Sequence, residues 1–261
     1  MMAAVLWGAG LLSLMQVGFW LWQVRTRNAG WVDVGWALGL AIMAVLSAGL
    51  GPAPPERRLL MGVMGGLHGL RLGLYLWHRV ATEAHEDGRY QAIRAAWKTG
   101  TNAKFFAFFQ AQALLDVCLG LPFLVAAWNP RPGLHPLEWA AAALWLLAWL
   151  GEAMADAQLR RFKGRAGSPG LTCREGLWRY SRHPNYFFEW LVWVAYLLLA
   201  LTAPWGWLAG LCPALMLYFL LRVTGIPYTE AQSLRSRPED YARYQRETSA
   251  FIPWFPRKVD A

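Results

Sequence analysis

Cysteine is nearly missing from this chain: Cys118, Cys173 and Cys212 are the only three in 261 residues. Three scattered thiols give neither a disulfide framework nor the close spacing of a zinc site, so both classes are set aside. Charge is sparse as well, at 16% of residues. No glycine-rich Rossmann or P-loop fingerprint occurs, which removes the usual soluble nucleotide folds. There is no internal repeat and no low-complexity tract. The first apolar run has no basic residues ahead of it and comparable runs follow, so it reads as a retained span and not as a cleaved signal.

What the chain has in quantity is apolar surface: 56% hydrophobic residues and 17 tryptophans. A spanning helix needs about 20 mostly apolar residues. Seven segments qualify, at 3–24, 31–50, 59–77, 105–128, 134–155, 185–203 and 206–222. The polar stretches are 78–104, 156–184 and the tail from 223. The expected fold is therefore an all-α integral membrane protein, a bundle of seven transmembrane helices forming a single membrane domain over 1–261.

Cytoplasmic loops collect Lys and Arg. The connections after the first, third and fifth segments and the tail carry two, five, seven and seven of them, the last figure counting Arg222. The opposite side has only Arg57, Arg58 and Arg131. This predicts an N-terminus outside and a C-terminus in the cytosol. The net charge of +9 is thereby read as topology, with membrane lipids as contacts and no nucleic acid as partner.

Ionisable residues inside a span usually face a bundle interior or a wet cavity. Asp33 and Trp36 open the second segment, and His68, Arg71 and Tyr75 share one face of the third. Gln110, Gln112 and Asp116 lie in the fourth, where buried helix contacts are the competing reading. Glu152, Asp156 and Arg160 recur every four residues at the end of the fifth, as a polar site or as an ion-paired helix end. Asn185 and Glu189 begin the sixth, and Arg222 closes the seventh. Trp36 reads equally as an interfacial anchor. On the 78–104 connection, Glu86 reads as a helix cap, while Asp87, Arg89 and Tyr90 either line a cofactor mouth or cap a helix. His78, His85 and His135 receive no role. By topology these groups form a polar pocket in the cytosolic half of the membrane.

Residues 160–182 supply Arg160, Arg161, Lys163, Arg165, Arg174, Arg179 and Arg182, a composition suited to phosphate oxygens. Pro184 stands where a helix begins, and a helix N-terminus favours an anion. These features alone leave an anionic cofactor and a lipid headgroup open.

The stretch "GLWRYSRHPNYFFEW" resembles the signature of a superfamily of membrane enzymes that includes steroid 5-alpha-reductases, sterol reductases and isoprenylcysteine carboxyl methyltransferases. "WVDVGW", "GLRLGLYLWHR", "EDGRYQAIR" and "EDYARYQRETSAFIPWFP" extend the resemblance to bacterial relatives of steroid 5-alpha-reductase, over most of the chain. The resemblance implies an inner-membrane oxidoreductase. It would deliver hydride from NADPH to the beta carbon of a 3-oxo-4-ene steroid or similar lipophilic enone. It implies that residues 1–128 serve mainly the substrate and 129–261 mainly the cofactor.

By the same resemblance Asp33 stands where the family has glutamate and His68 near its tyrosine. These two are the expected catalytic pair polarising the ketone, with Trp36, Arg71 and Tyr75 on the substrate. Donors aimed at the developing oxyanion would stabilise it, and an apolar setting would keep the Asp33 carboxyl neutral. Asn185, Glu189, Asp156, Tyr180 and Arg222 match family cofactor positions, while Glu152 replaces an asparagine and Lys163 an arginine. Arg182, His183 and Tyr186 belong to the shared core, and Arg160 to the basic cluster beside it; all four are expected on the cofactor side. The core does not separate a reductase from an S-adenosylmethionine-dependent methyltransferase of a lipid or thiol. A lipid-binding or transport protein is the non-enzymatic alternative. Oligomeric state is left open.

Overall fold

The computed structural model describes residues 1–83, 85–165, 167 and 170–257. Among them the chain forms eleven α-helices and no strand. They are α1 (Met2–Thr26), α2 (Trp31–Leu50), α3 (Pro55–Thr82), α4 (Gly88–Ala96), α5 (Thr101–Leu119), α6 (Leu121–Ala127), α7 (Pro136–Lys163), α8 (Pro184–Ala200), α9 (Leu211–Tyr218), α10 (Ile226–Ser236) and α11 (Pro238–Glu247). Short 3-10 turns cover Gly176–Arg179 and Gly206–Gly210, and a π-turn covers Phe219–Val223.

Six helical segments are long and apolar enough to cross a membrane: Met2–Thr26, Trp31–Leu50, Pro55–Thr82, Thr101–Ala127, Pro136–Lys163 and Gly206–Ser236. They coincide with six of the seven expected spans. The other, expected over 185–203, is α8, whose 17 residues lie at the lower limit of the roughly 17–25 that span a bilayer. The outward side chains of α1, among them Leu6, Trp7, Leu14 and Trp22, are exposed, as lipid-facing residues would be. The polar stretches hold more helix than their composition predicts. The 78–104 connection contains α4, α7 runs on to Lys163, and the tail folds into α10 and α11.

The chain divides into two compact units: Met1–Trp139 with Leu197–Cys212, and Ala140–Tyr196 with Pro213–Ala261. In the first, α2 and α3 pack through small residues. Gly65, Gly69 and Gly73 repeat every four residues on α3 and meet Ala44, Ala37 with Ala41, and Leu38 on α2. Helices in lipid gain no hydrophobic drive to associate, so close backbone approach supplies the attraction. A Cβ at Gly69 would stand 2.6 Å from the Ala37 carbonyl oxygen and 2.7 Å from the Ala41 nitrogen. Gly69→Val is expected to lower stability by about 3 kcal/mol, because backbone and not a flexible side chain must give way. Thermal unfolding in detergent checks this, and an unchanged melting point would mean that the two helices stand further apart.

Arg57, expected as a loop charge on the outer side, is instead fully buried in the first turn of α3. Its Nε donates to Glu138 Oε1 at 2.5 Å and its Nη2 to Glu138 Oε2 at 3.0 Å. The remaining donors reach the carbonyls of Asn129, Arg131 and Gly133 at 3.2, 2.6 and 2.6 Å. Glu138 Oε2 also accepts the His135 N–H at 2.7 Å. One guanidinium thus organises the whole connection between α6 and α7. Nearby, the Asn129 side chain donates to Thr202 Oγ1 at 3.0 Å, which fastens the same connection to residues 197–212.

Candidate functional site

In the first unit the polar residues gather at the start of α2. Asp33 Oδ2 accepts from Arg89 Nη2 at 2.9 Å, and Asp33 Oδ1 accepts the Tyr90 hydroxyl at 2.6 Å. Arg79 Nη2 lies 3.7 Å from the same Oδ2. Asp87 caps α4 by accepting the Arg89 N–H at 2.9 Å, and it accepts again from Arg89 Nε at 3.1 Å. The cap is therefore Asp87. Glu86, expected in that role, accepts the Ala29 N–H at 2.7 Å and Arg94 Nη2 at 2.8 Å, pinning α4 beneath the α1–α2 turn.

Burial pushes the Tyr90 hydroxyl well above its ordinary value and the Asp33 charge pushes it further, so the phenol keeps its proton. Burial opposes the Arg89 charge, but Asp33 and Asp87 outweigh it and hold the guanidinium above its ordinary range. Burial also raises Asp87, yet the bonds and charge of Arg89 prevail and leave it below the usual carboxylate value. Both Asp33 oxygens act as acceptors, one of them facing a cation.

His68 is not beside it. Its neighbour Gly69 packs on Ala37 and Ala41, four to eight residues beyond Asp33, or about 6–12 Å along α2. Helical side chains tilt toward the N-terminus. Because α2 and α3 run in opposite directions, Asp33 and His68 lean away from each other. Asp33 belongs to an ion network at the helix start, and His68 is only 1% exposed deeper in α3. Arg71 and Tyr75 follow His68 at half-buried positions, and Trp36 is half-buried one turn beyond Asp33. In the fourth span the helix-contact reading holds for Gln110, whose Oε1 accepts the Ser13 hydroxyl at 2.6 Å. Asp116 is fully buried and its carboxylate lies against Gly39, where any Cβ would collide with it.

The second unit holds the other group. Glu152 and Asp156, one turn apart on α7, are both buried. Gly151 lets α7 approach α8 closely, since a Cβ there would be 2.6 Å from the Phe188 ring. Asn185 Nδ2 donates to Asp156 Oδ1 at 3.4 Å. One turn deeper, the buried Glu189 accepts from Trp193 Nε1 at 2.8 Å. Four polar side chains from two apolar helices thus gather within one unit, Glu152, Asp156 and Glu189 buried and Asn185 half-buried, with Trp193, Tyr196 and the stacked Trp145–Trp149 pair beyond them.

The arginine-histidine-proline core has different work. Arg182 Nε donates to Glu230 Oε1 at 2.6 Å, and Nη1 donates to the carbonyls of Gln245 and Thr248 at 3.0 and 2.6 Å. Gln245 Nε2 donates to Glu230 Oε2 at 2.8 Å, and His183 Nε2 lies 3.4 Å from Glu230 Oε1. Burial holds the His183 imidazole below its ordinary value, so it is neutral near pH 7. Tyr186 stacks on His183 at 5.3 Å, and its hydroxyl lies 3.2 Å from Thr229 Oγ1. Tyr244 donates to the Trp178 and Ser181 carbonyls. These residues therefore clamp α10, α11 and the tail to the entry of α8. Tyr180 joins them through its carbonyl, which accepts the Trp254 N–H at 2.9 Å.

Of the expected cofactor residues, the structure brings together Asp156 and Asn185, with Glu152 and Glu189 one turn deeper. Arg182, His183, Tyr180 and Tyr186 form the clamp. Arg160, Lys163 and Arg222 are exposed at helix ends. Sequence reasoning missed Glu230, Gln245 and Tyr244; the Tyr241/Tyr244 pair on one face of the charged stretch 238–247 was the available sign of a buried side there.

Fold and polar groups together define a polytopic helical membrane protein with ionisable side chains enclosed among its apolar helices. The chain matches, over residues 19–248, the family described as "Protein of unknown function (DUF1295)", and it belongs to that family. No curated protein and no solved structure matches it.

Proposed function

We propose that this protein is an NADPH-dependent membrane oxidoreductase reducing the 4,5 double bond of a 3-oxo-4-ene steroid or similar lipophilic enone. The observation that carries the reading is the Asp156–Asn185 pair, which joins α7 to α8 beside the buried Glu152 and Glu189, with Asp156 buried and Asn185 half-buried. Polar side chains at membrane depth are expensive and mark function. A nicotinamide carboxamide offers one donor and one acceptor. The Asn185 amide is complementary to it, because its oxygen and second N–H have no partner among the described residues. The exposed Arg160, Lys163, Arg179 and Arg222 suit the cofactor phosphates. The bound cofactor would supply hydride, while the protein orients it and excludes water.

On the substrate side, the ketone-polarising role falls to the buried His68, with Arg71 and Tyr75 on the following turns. Asp33 acts as a positioning residue that holds Arg89 and Tyr90. The resemblance of "GLWRYSRHPNYFFEW" and "EDGRYQAIR" to the steroid 5-alpha-reductase group supports the same reading. The basic loops support seven spans, with α8 as the sixth, the N-terminus outside and the C-terminus in the cytosol, and the resemblance to bacterial relatives supports a bacterial inner membrane.

Calorimetry on purified protein with NADPH, NADH and S-adenosylmethionine tests the cofactor. Turnover of a 3-oxo-4-ene steroid, followed at the nicotinamide absorbance band, tests the reaction. Binding of NADPH with enone-dependent oxidation is the expected result. A preference for S-adenosylmethionine would turn the assignment to a methyltransferase.

A further inference from the structure

The tail of the second unit carries apolar side chains that nothing within that unit covers. Phe251 is buried against Phe187 and Trp190, in the first two turns of α8, at ring distances of 5.7 and 6.0 Å. Three bonds fix the tail at that level. Trp254 N–H donates to the Tyr180 carbonyl at 2.9 Å, Arg182 N–H to that of Ser249 at 2.8 Å, and the Ser181 hydroxyl to that of Phe251 at 2.8 Å. The tail is therefore held where an apolar helix begins, which is the level of lipid headgroups. Just past Phe251, Ile252, Trp254 and Phe255 are 61%, 69% and 74% exposed.

Beside them opens a cleft of about 410 Å³, lined by Arg182, Gln245, Arg246, Thr248, Trp254 and Arg257 among others. Arg246 and Arg257 are exposed and have no carboxylate partner among the described residues. Glu247, the one acid lining the cleft, is occupied by Arg174 at 3.4 Å and Arg243 at 2.7 Å. The cleft is thus cationic with an apolar aromatic rim.

We infer that this cleft seats an anionic phospholipid, its phosphate at Arg246 and Arg257 and its glycerol and upper acyl region against Ile252, Trp254 and Phe255. Guanidinium groups bind phosphate by charge-assisted, often paired hydrogen bonds. Tryptophan and phenylalanine at a membrane boundary place apolar rings among lipids. The arginines select an anionic headgroup over a zwitterionic one, and the apolar rim selects a lipid over a soluble anion. The inference is independent of the reductase reading, since it concerns the tail surface and not the α7–α8 pair.

The test uses full-length protein in phosphatidylcholine nanodiscs containing brominated phosphatidylglycerol or, at equal mole fraction, brominated phosphatidylcholine. Subtracting the emission of Trp254→Phe from that of wild type isolates Trp254. Each arginine at an anionic surface contributes roughly fivefold in local lipid enrichment. The brominated anionic lipid is therefore expected to quench this signal at least about fivefold more effectively. The double variant Arg246→Gln/Arg257→Gln is expected to erase the preference with an unchanged melting point. Equal quenching by both lipids, or none by either, would overturn the assignment. So would relief of quenching by inorganic phosphate or NADPH, which would give the cleft to a soluble anion.

Discussion

Arg57→Ala is expected to destabilise the protein by about 3–5 kcal/mol, the range for removing one partner of a buried ion pair. The loss has two sources. Glu138 would keep a buried charge without its cation, and the carbonyls of Asn129, Arg131 and Gly133 would lose their donors. Glu138→Gln is expected to fall in the same range, because it strands the Arg57 charge. Combining the two should destabilise less than the sum of the single changes, by up to about 3 kcal/mol, since each already breaks the shared pair. Equilibrium unfolding in mixed micelles measures all three. Strict additivity, or a single-variant effect below about 1 kcal/mol, would show that the pair is not the organiser of the α6–α7 connection.

The second large effect is expected in ligand binding. Asn185→Leu preserves approximate volume but removes the amide that we assign to the nicotinamide carboxamide. Losing two hydrogen bonds of about 0.5–1.5 kcal/mol each should weaken NADPH binding about ten- to hundredfold. The melting point of the unliganded protein should move by only a few degrees, because Asn185 makes one long bond of 3.4 Å to Asp156. Calorimetry reads the first quantity and differential scanning the second. Undiminished affinity would remove Asn185 from the site. Collapse of the fold would make the pair a structural device instead.

How far the sequence alone reached depended on whether a property is local. The long helices were legible because each exposes its own apolar side chains to lipid, and hydropathy reads that residue by residue. Arg57 and Arg58 show where this stops. Both stand in the same polar punctuator, yet one is fully enclosed and the other only partly, because helix phase from Pro55 turns Arg57 inward. Asp33 was conspicuous as an acid in an apolar run, but its partners Arg89 and Tyr90 lie 56 and 57 residues away. Arg182 was recognised from its motif, which conveyed nothing of Glu230, 48 residues on, that makes it a clamp. Spacing along α7 and α8 did expose Asp156, Asn185 and Glu189, since a four-residue interval shows which groups share a helical face. Spacing along one helix is silent on Asp33 and His68, which sit on different, antiparallel helices where adjacency depends on depth.

The division of the chain also constrains how it can be made. Val125 is buried with Ala200, Ala203 and Ala209, and Asn129 bonds to Thr202, so the N-terminal unit is completed by a segment that emerges late from the ribosome. By then α7 and most of α8 have already been synthesised. A fragment stopped at residue 139 would enter the translocon without its closing piece, whereas one extended through residue 212 would carry it.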